Sequence, residues 1–83
     1  MSNHISTLKA AVMNEAAYTA AVAELRASNP ARTELAHICR ALTQYNPGPR
    51  DTIVNIYERI ERYGHCERRH AARAAVSRRV MPI

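Results

Sequence analysis

Residues 49–80 read PRDTIVNIYERIERYGHCERRHAARAAVSRRV, a stretch whose apolar spacing and single glycine decide the architecture of the C-terminal half. Ile53, Ile56, Tyr57, Ile60 and Tyr63 recur at spacings of three and four, the period of one helical face. Pro49 fits the first helical position, and Asp51 would place a carboxylate near the positive end of the helix. Gly64 is a residue type that often caps helices, so the pattern predicts a helix over 49–63 closed by Gly64. A separate short basic helix is then expected over 66–80. Its apolar positions, Ala72, Val76 and Val80, form only a narrow strip. Arg69 and Arg73 fall in or beside that strip, and Arg68, Arg78 and Arg79 lie on its other flank. Such a helix cannot bury one broad face, and its arginines are available for contact.

Upstream, Asn46-Pro47-Gly48-Pro49 is the strongest breaker in the chain. Before it, Leu35, Ile38, Cys39, Leu42 and Tyr45 form an apolar stripe that predicts a second helix over 30–45. Asn29 is expected to cap it, with Pro30 at its first position. A long alanine-rich helix is expected over residues 1–28, with a possible break near Asn14, because Met13, Asn14 and Glu15 interrupt the stripe of Ile5, Leu8, Val12, Tyr18, Val22 and Leu25. The run from Ala16 to Ala23 allows another helix to approach closely, for packing within the molecule or along a homodimer seam.

The expected fold is therefore all-α: one domain over residues 1–83, a small bundle of three main helices plus a short basic C-terminal helix. The expected core is Leu8, Val12, Tyr18, Val22, Leu25, Leu35, Ile38, Leu42, Ile53, Ile56, Tyr57 and Ile60. With 83 residues, fifteen of them alanine and no Phe or Trp, this core is thin, so dimerisation or partner binding would add useful stability. No apolar run is long enough to span a bilayer and no secretory signal is visible, so the expectation is a cytoplasmic protein that does not engage membranes. Cys39 and Cys66 are then expected to be free thiols.

Charge is distributed unevenly. Residues 1–45 carry four basic and three acidic side chains, whereas residues 46–83 carry eight arginines and four acids. Five arginines, at 68, 69, 73, 78 and 79, are suited to phosphate or carboxylate contacts. On the third helix, Thr52, Asn55, Arg59 and Arg62 share an arc of about 80°, the arrangement of side chains that face a groove. Asn pairs with adenine and Arg with guanine, while terminal arginines hold phosphates. Glu58 and Glu61 oppose this, and Glu58 is placed to pair with Arg62 along the helix.

Other chemistry has little support. His65, Cys66 and His70 cluster, but His37 and Cys39 diverge on their helix and no paired Cys motif is present, so neither a metal nor a cofactor is expected. No phosphate-cradling glycine loop, oxyanion hole or convergent carboxylate pair accompanies the cysteines, so an enzyme is not expected. The leading expectation is a non-catalytic nucleic-acid-binding protein, contacting DNA through Arg68, Arg69, Arg73, Arg78, Arg79, Thr52, Asn55, Arg59 and Arg62. The alternative is a small inhibitor or adaptor, of the kind encoded by phages and mobile elements, that docks on an acidic surface of a bacterial protein or nucleoprotein complex. The apolar ending Val80-Met81-Pro82-Ile83 would contribute to such docking.

Overall fold

The computed structural model describes the backbone of residues 4–79 and the side chains of residues 4–75. The ending at 80–83 and the side chains of Val76, Arg78 and Arg79 lie outside the described residues. Among the described residues there are four helices and no strands: α1 His4–Ala11, α2 Glu15–Ala27, α3 Arg32–Thr43 and α4 Ile53–Arg79. The packed pairs are α1 with α2, α2 with α4, α4 with α3, and α3 with α1. The helices thus close a ring around the core, with α1 and α4 on opposite sides. None of them is long and apolar enough to cross a membrane.

The first helical stretch is broken at the place expected, near Asn14, and forms two helices, α1 and α2. Asn14 adopts extended backbone and its side chain accepts the N–H of Ala17 at 3.0 Å, capping α2. That cap turns the Met13–Glu15 interruption into a bend and lets α1 pack on α2 rather than extend it. The cap expected at Asn29 is corrected. Asn29 sits in the left-handed region (φ 50°) and its N–H reaches the Arg26 carbonyl, so it terminates α2. α3 begins after Ala31, and it ends at Gln44, also left-handed, with φ 64°.

The largest correction concerns Gly64. It lies inside α4, which runs unbroken for 27 residues, so the short terminal helix is the second half of one long helix. A mid-helix glycine costs only about 1 kcal/mol relative to alanine. Here the missing Cβ is used: at this position a Cβ would lie 2.5 Å from Tyr18 Cε2 and 2.7 Å from Cδ2. Tyr18 from α2 occupies that space and donates its hydroxyl to the Ile60 carbonyl at 2.7 Å.

The start of α4 shifts as well, from Pro49 to Ile53. Thr52 Oγ1 accepts the Asn55 N–H at 3.1 Å, and the Thr52 carbonyl accepts that of Ile56 at 3.0 Å. Asp51 stands before this cap rather than in the first turn. Its carboxylate accepts the Gly48 N–H at 2.9 Å and the Tyr45 hydroxyl at 2.8 Å, closing the α3–α4 connection on itself. Arg32 donates across the same connection to the carbonyls of Gly48 and Asp51 at 2.7 and 2.6 Å.

Ten of the twelve expected core residues are buried, and Ala21 and Cys39 join them. Val12 is half-buried against the cluster. Ile53 is the other exception, 47 % exposed, because the Thr52 cap starts the helix there and its first turn has no neighbour to cover it. Both cysteines are free thiols, Cys39 buried and Cys66 exposed. The principal extents are 53 × 24 × 18 Å, and the long axis reflects α4: every described side chain from Arg69 to Ala75 is exposed.

Candidate nucleic-acid interface

An unbroken α4 unites two groups of residues that the expected break at Gly64 kept apart. At 100° per residue, Asn55, Arg59, Arg62, Cys66, Arg69, His70 and Arg73 fall within a band of about 100°. At 1.5 Å per residue, that band runs about 27 Å along the helix. It lies opposite Ile56, Tyr57, Ile60 and Gly64, which face the core. Asn55, Arg62, Cys66, Arg69, His70 and Arg73 are exposed, and Arg59 is half-buried. Four arginines therefore share one solvent-facing strip.

Not every expected contact residue remains available. The Thr52 hydroxyl is engaged as the α4 cap. Arg59 stacks over Tyr45, with its guanidinium carbon 3.6 Å from the ring centroid. Arg68 points away from the band: it donates to the Val12 carbonyl at 3.0 Å and lies 5.6 Å from the Tyr18 ring centroid. There it satisfies a backbone acceptor just beyond the end of α1, where a cation is favoured. Arg78 and Arg79 lie outside the residues whose side chains are described.

The acids are partly neutralised by position. The ion pair among the described residues joins Arg26 to Glu61, in place of the expected Glu58–Arg62 pair. Arg26 also covers Tyr57, 4.2 Å from its ring centroid. Glu67 lies on another side of α4, about 60° beyond the edge of the band, leaving Glu58 near its border.

One residue with a bearing on binding was hidden in the sequence. Tyr45 continues the apolar stripe expected for the second helix, yet it follows the end of α3 and is 37 % exposed. With Thr43, Arg59, Arg62, Tyr63 and Cys66 it lines a hollow of about 250 Å³ between α4 and the end of α3. The hydrogen bond to Asp51 raises the Tyr45 pKa, and burial adds to this. The Gly48 N–H, followed by the Tyr45 hydroxyl, holds the Asp51 carboxyl below its ordinary range. Both effects keep the ring anchored at neutral pH. Only its position beside the Asn-Pro breaker marks Tyr45 in the sequence as a residue at a helix end.

Elsewhere, the groove between α2 and α4 is larger, about 380 Å³, but its polar ends are spoken for by the Arg26–Glu61 pair and the Arg68–Val12 bond. His65 lines that groove, whereas Cys66 and His70 belong to the α4 band. His37 is exposed and Cys39 is buried in the core, so the His and Cys residues do not converge; no group of three or more potential metal ligands occurs among the described residues. Ala16, Ala20 and Ala23 leave an open face on α2. Comparison with protein-family models, curated proteins and solved structures finds no match for the chain.

Proposed function

We propose that the protein is a non-catalytic nucleic-acid-binding protein that holds a phosphate backbone along the outer band of α4. Arg62, Arg69 and Arg73 are the principal contacts in this reading, with Asn55 and Arg59 at the inner end. The observation that carries it is the continuity of α4 through Gly64, which aligns arginines on both sides of the glycine. Arginine suits this role because its planar guanidinium meets phosphate oxygens in pairs. Arg68 and Thr52, expected to touch nucleic acid, have structural partners instead and are left out of the proposed contact set.

Salt-dependent binding tests the proposal. Affinity for DNA or RNA should fall with added salt, with a log–log slope of roughly 0.9 per duplex phosphate contacted, or roughly 0.7 on a single strand. Replacing Arg62, Arg69 and Arg73 together with Gln should flatten that slope and leave the helical spectrum unchanged. Failure of the native protein to bind any DNA or RNA at low salt overturns the proposal.

A second reading, docking on an acidic protein surface as a phage-type inhibitor or adaptor would, is favoured by one specific feature. Ala71 and Ala75 follow Ile60 and Gly64 by eleven residues, just over three full turns, and so continue the core-facing side of α4. Both are exposed, so a small-residue face emerges from the bundle uncovered. A stoichiometric protein partner retained from a bacterial lysate after nuclease treatment would favour this second reading.

A further inference from the structure

We infer that the hollow beside Tyr45 receives a single unpaired base, so that the nucleic acid held by α4 is single-stranded. This rests on the nucleic-acid reading above and names its substrate class.

The shape of the surface distinguishes the two kinds of strand. A helix that reads a duplex must stand proud enough to enter a groove about 12 Å wide. At the Arg59–Arg62 level α4 does not stand proud: Thr43 and Tyr45, from the end of α3 and the following connection, flank it and make the surface concave. The hollow, about 250 Å³ in volume, is on the scale of one planar base.

Its chemistry fits a base. Two phenol rings, Tyr45 and Tyr63, supply apolar surface, and the Arg59 guanidinium stacked 3.6 Å from the Tyr45 ring centroid supplies a cation beside it. Exposed Arg62 borders the same hollow, and Arg69 and Arg73 continue the band outward at about 10 and 17 Å along the helix. Aromatic and guanidinium surfaces next to a track of phosphate-binding arginines are the combination that single strands use, because every base offers a stacking face. A duplex would have to extrude a base to fill the hollow, at an unstacking cost a single strand does not bear.

The ring is also held in place before any ligand arrives. Tyr45 is fixed by its hydrogen bond to Asp51, which is fixed in turn by Gly48, while Arg32 ties down both of their carbonyls. Binding therefore loses little side-chain entropy at this position.

Fluorescence anisotropy at low salt with labelled twenty-nucleotide dT, twenty-nucleotide rU and a twenty-base-pair DNA duplex provides the test. Both single strands should bind more tightly than the duplex. Tyr45→Leu should weaken single-strand binding by about tenfold, the scale of one lost base stack, while Tyr45→Phe should retain most of it. In parallel, an oligonucleotide carrying 5-iodouridine should photocrosslink the native protein at the peptide containing Tyr45. That readout decides the matter if Tyr45→Leu fails to fold. Equal or tighter duplex binding, or crosslinks confined to residues 69–79, overturns the inference while leaving the nucleic-acid reading intact. Absence of binding to all three probes removes both.

Discussion

Tyr18 and Gly64 occupy one site between them: the α2 ring lies where a side chain at 64 would begin, and its hydroxyl bonds to the Ile60 carbonyl one turn earlier in α4. The glycine is retained in mid-helix by this contact rather than by any need to end the helix. Gly64→Ala separates the two explanations. Helix propensity alone favours Ala by about 1 kcal/mol, whereas overpacking costs about 1–3 kcal/mol. With contact distances of 2.5 and 2.7 Å to the ring, the steric cost should win. The urea midpoint of Gly64→Ala should fall, and in the Tyr18→Leu background the same change should be neutral or stabilising.

The buried phenol makes a prediction at the other end of the pH scale. Burial is the main cause that raises the Tyr18 pKa well above its ordinary value of 10.0. The folded state therefore keeps this proton longer than the unfolded state does. Its contribution is complete below pH 10 and is lost as pH rises towards the folded value. Tyr18→Phe, which loses the bond to Ile60, should be less stable by about 1 kcal/mol at pH 7. Urea unfolding at increasing pH should show that deficit shrinking above pH 10; a constant deficit would contradict the assignment.

Asp51 carries the opposite sign. Its folded pKa lies below the ordinary 3.8, because the carboxylate accepts from Gly48 and Tyr45. Stability from this clasp is complete above that pH and is lost as acid protonates the folded carboxyl. Asp51→Asn should lower the urea midpoint at pH 7. The gap between native and variant proteins should close as pH falls below about 4.

Adjacent arginines should behave differently. Arg68→Gln removes a donor to the Val12 carbonyl and should destabilise the fold by about 1 kcal/mol, seen in thermal or urea unfolding. Arg69→Gln and Arg73→Gln, on exposed sites, should leave stability within about 0.5 kcal/mol and act on nucleic-acid affinity instead. An Arg68 variant with native stability would show that its bond to the Val12 carbonyl contributes nothing.

Much of the fold is legible in the chain because it depends on local periodicity. The stripes through Leu35, Ile38 and Leu42 and through Ile56, Tyr57 and Ile60 mark the buried faces without reference to any partner, and these residues are buried. The interruption at Met13–Glu15 and the breaker at 46–49 likewise mark places where the chain turns. Of the candidate site, the exposed arginines at 62, 69 and 73 are legible as charges that a core does not need. Local pattern is silent on what crosses between elements. Nothing near Arg68 announces the Val12 carbonyl, 56 residues away, and nothing near Arg59 says that Tyr45 will lie against it.

Composition and period by themselves determined an all-helical chain with a basic C-terminal half. Tertiary structure decided what Gly64 means. A glycine is compatible with either a helix end or a helix interior, since the difference between them is about 1 kcal/mol of local propensity. That small difference is outweighed once a tyrosine 46 residues earlier packs against the bare backbone and bonds to Ile60. With the helix continuous, its rotation per residue carries Arg59 and Arg62 before position 64 and Arg69 and Arg73 after it to the same face, and α3 and its connection build the hollow beside them.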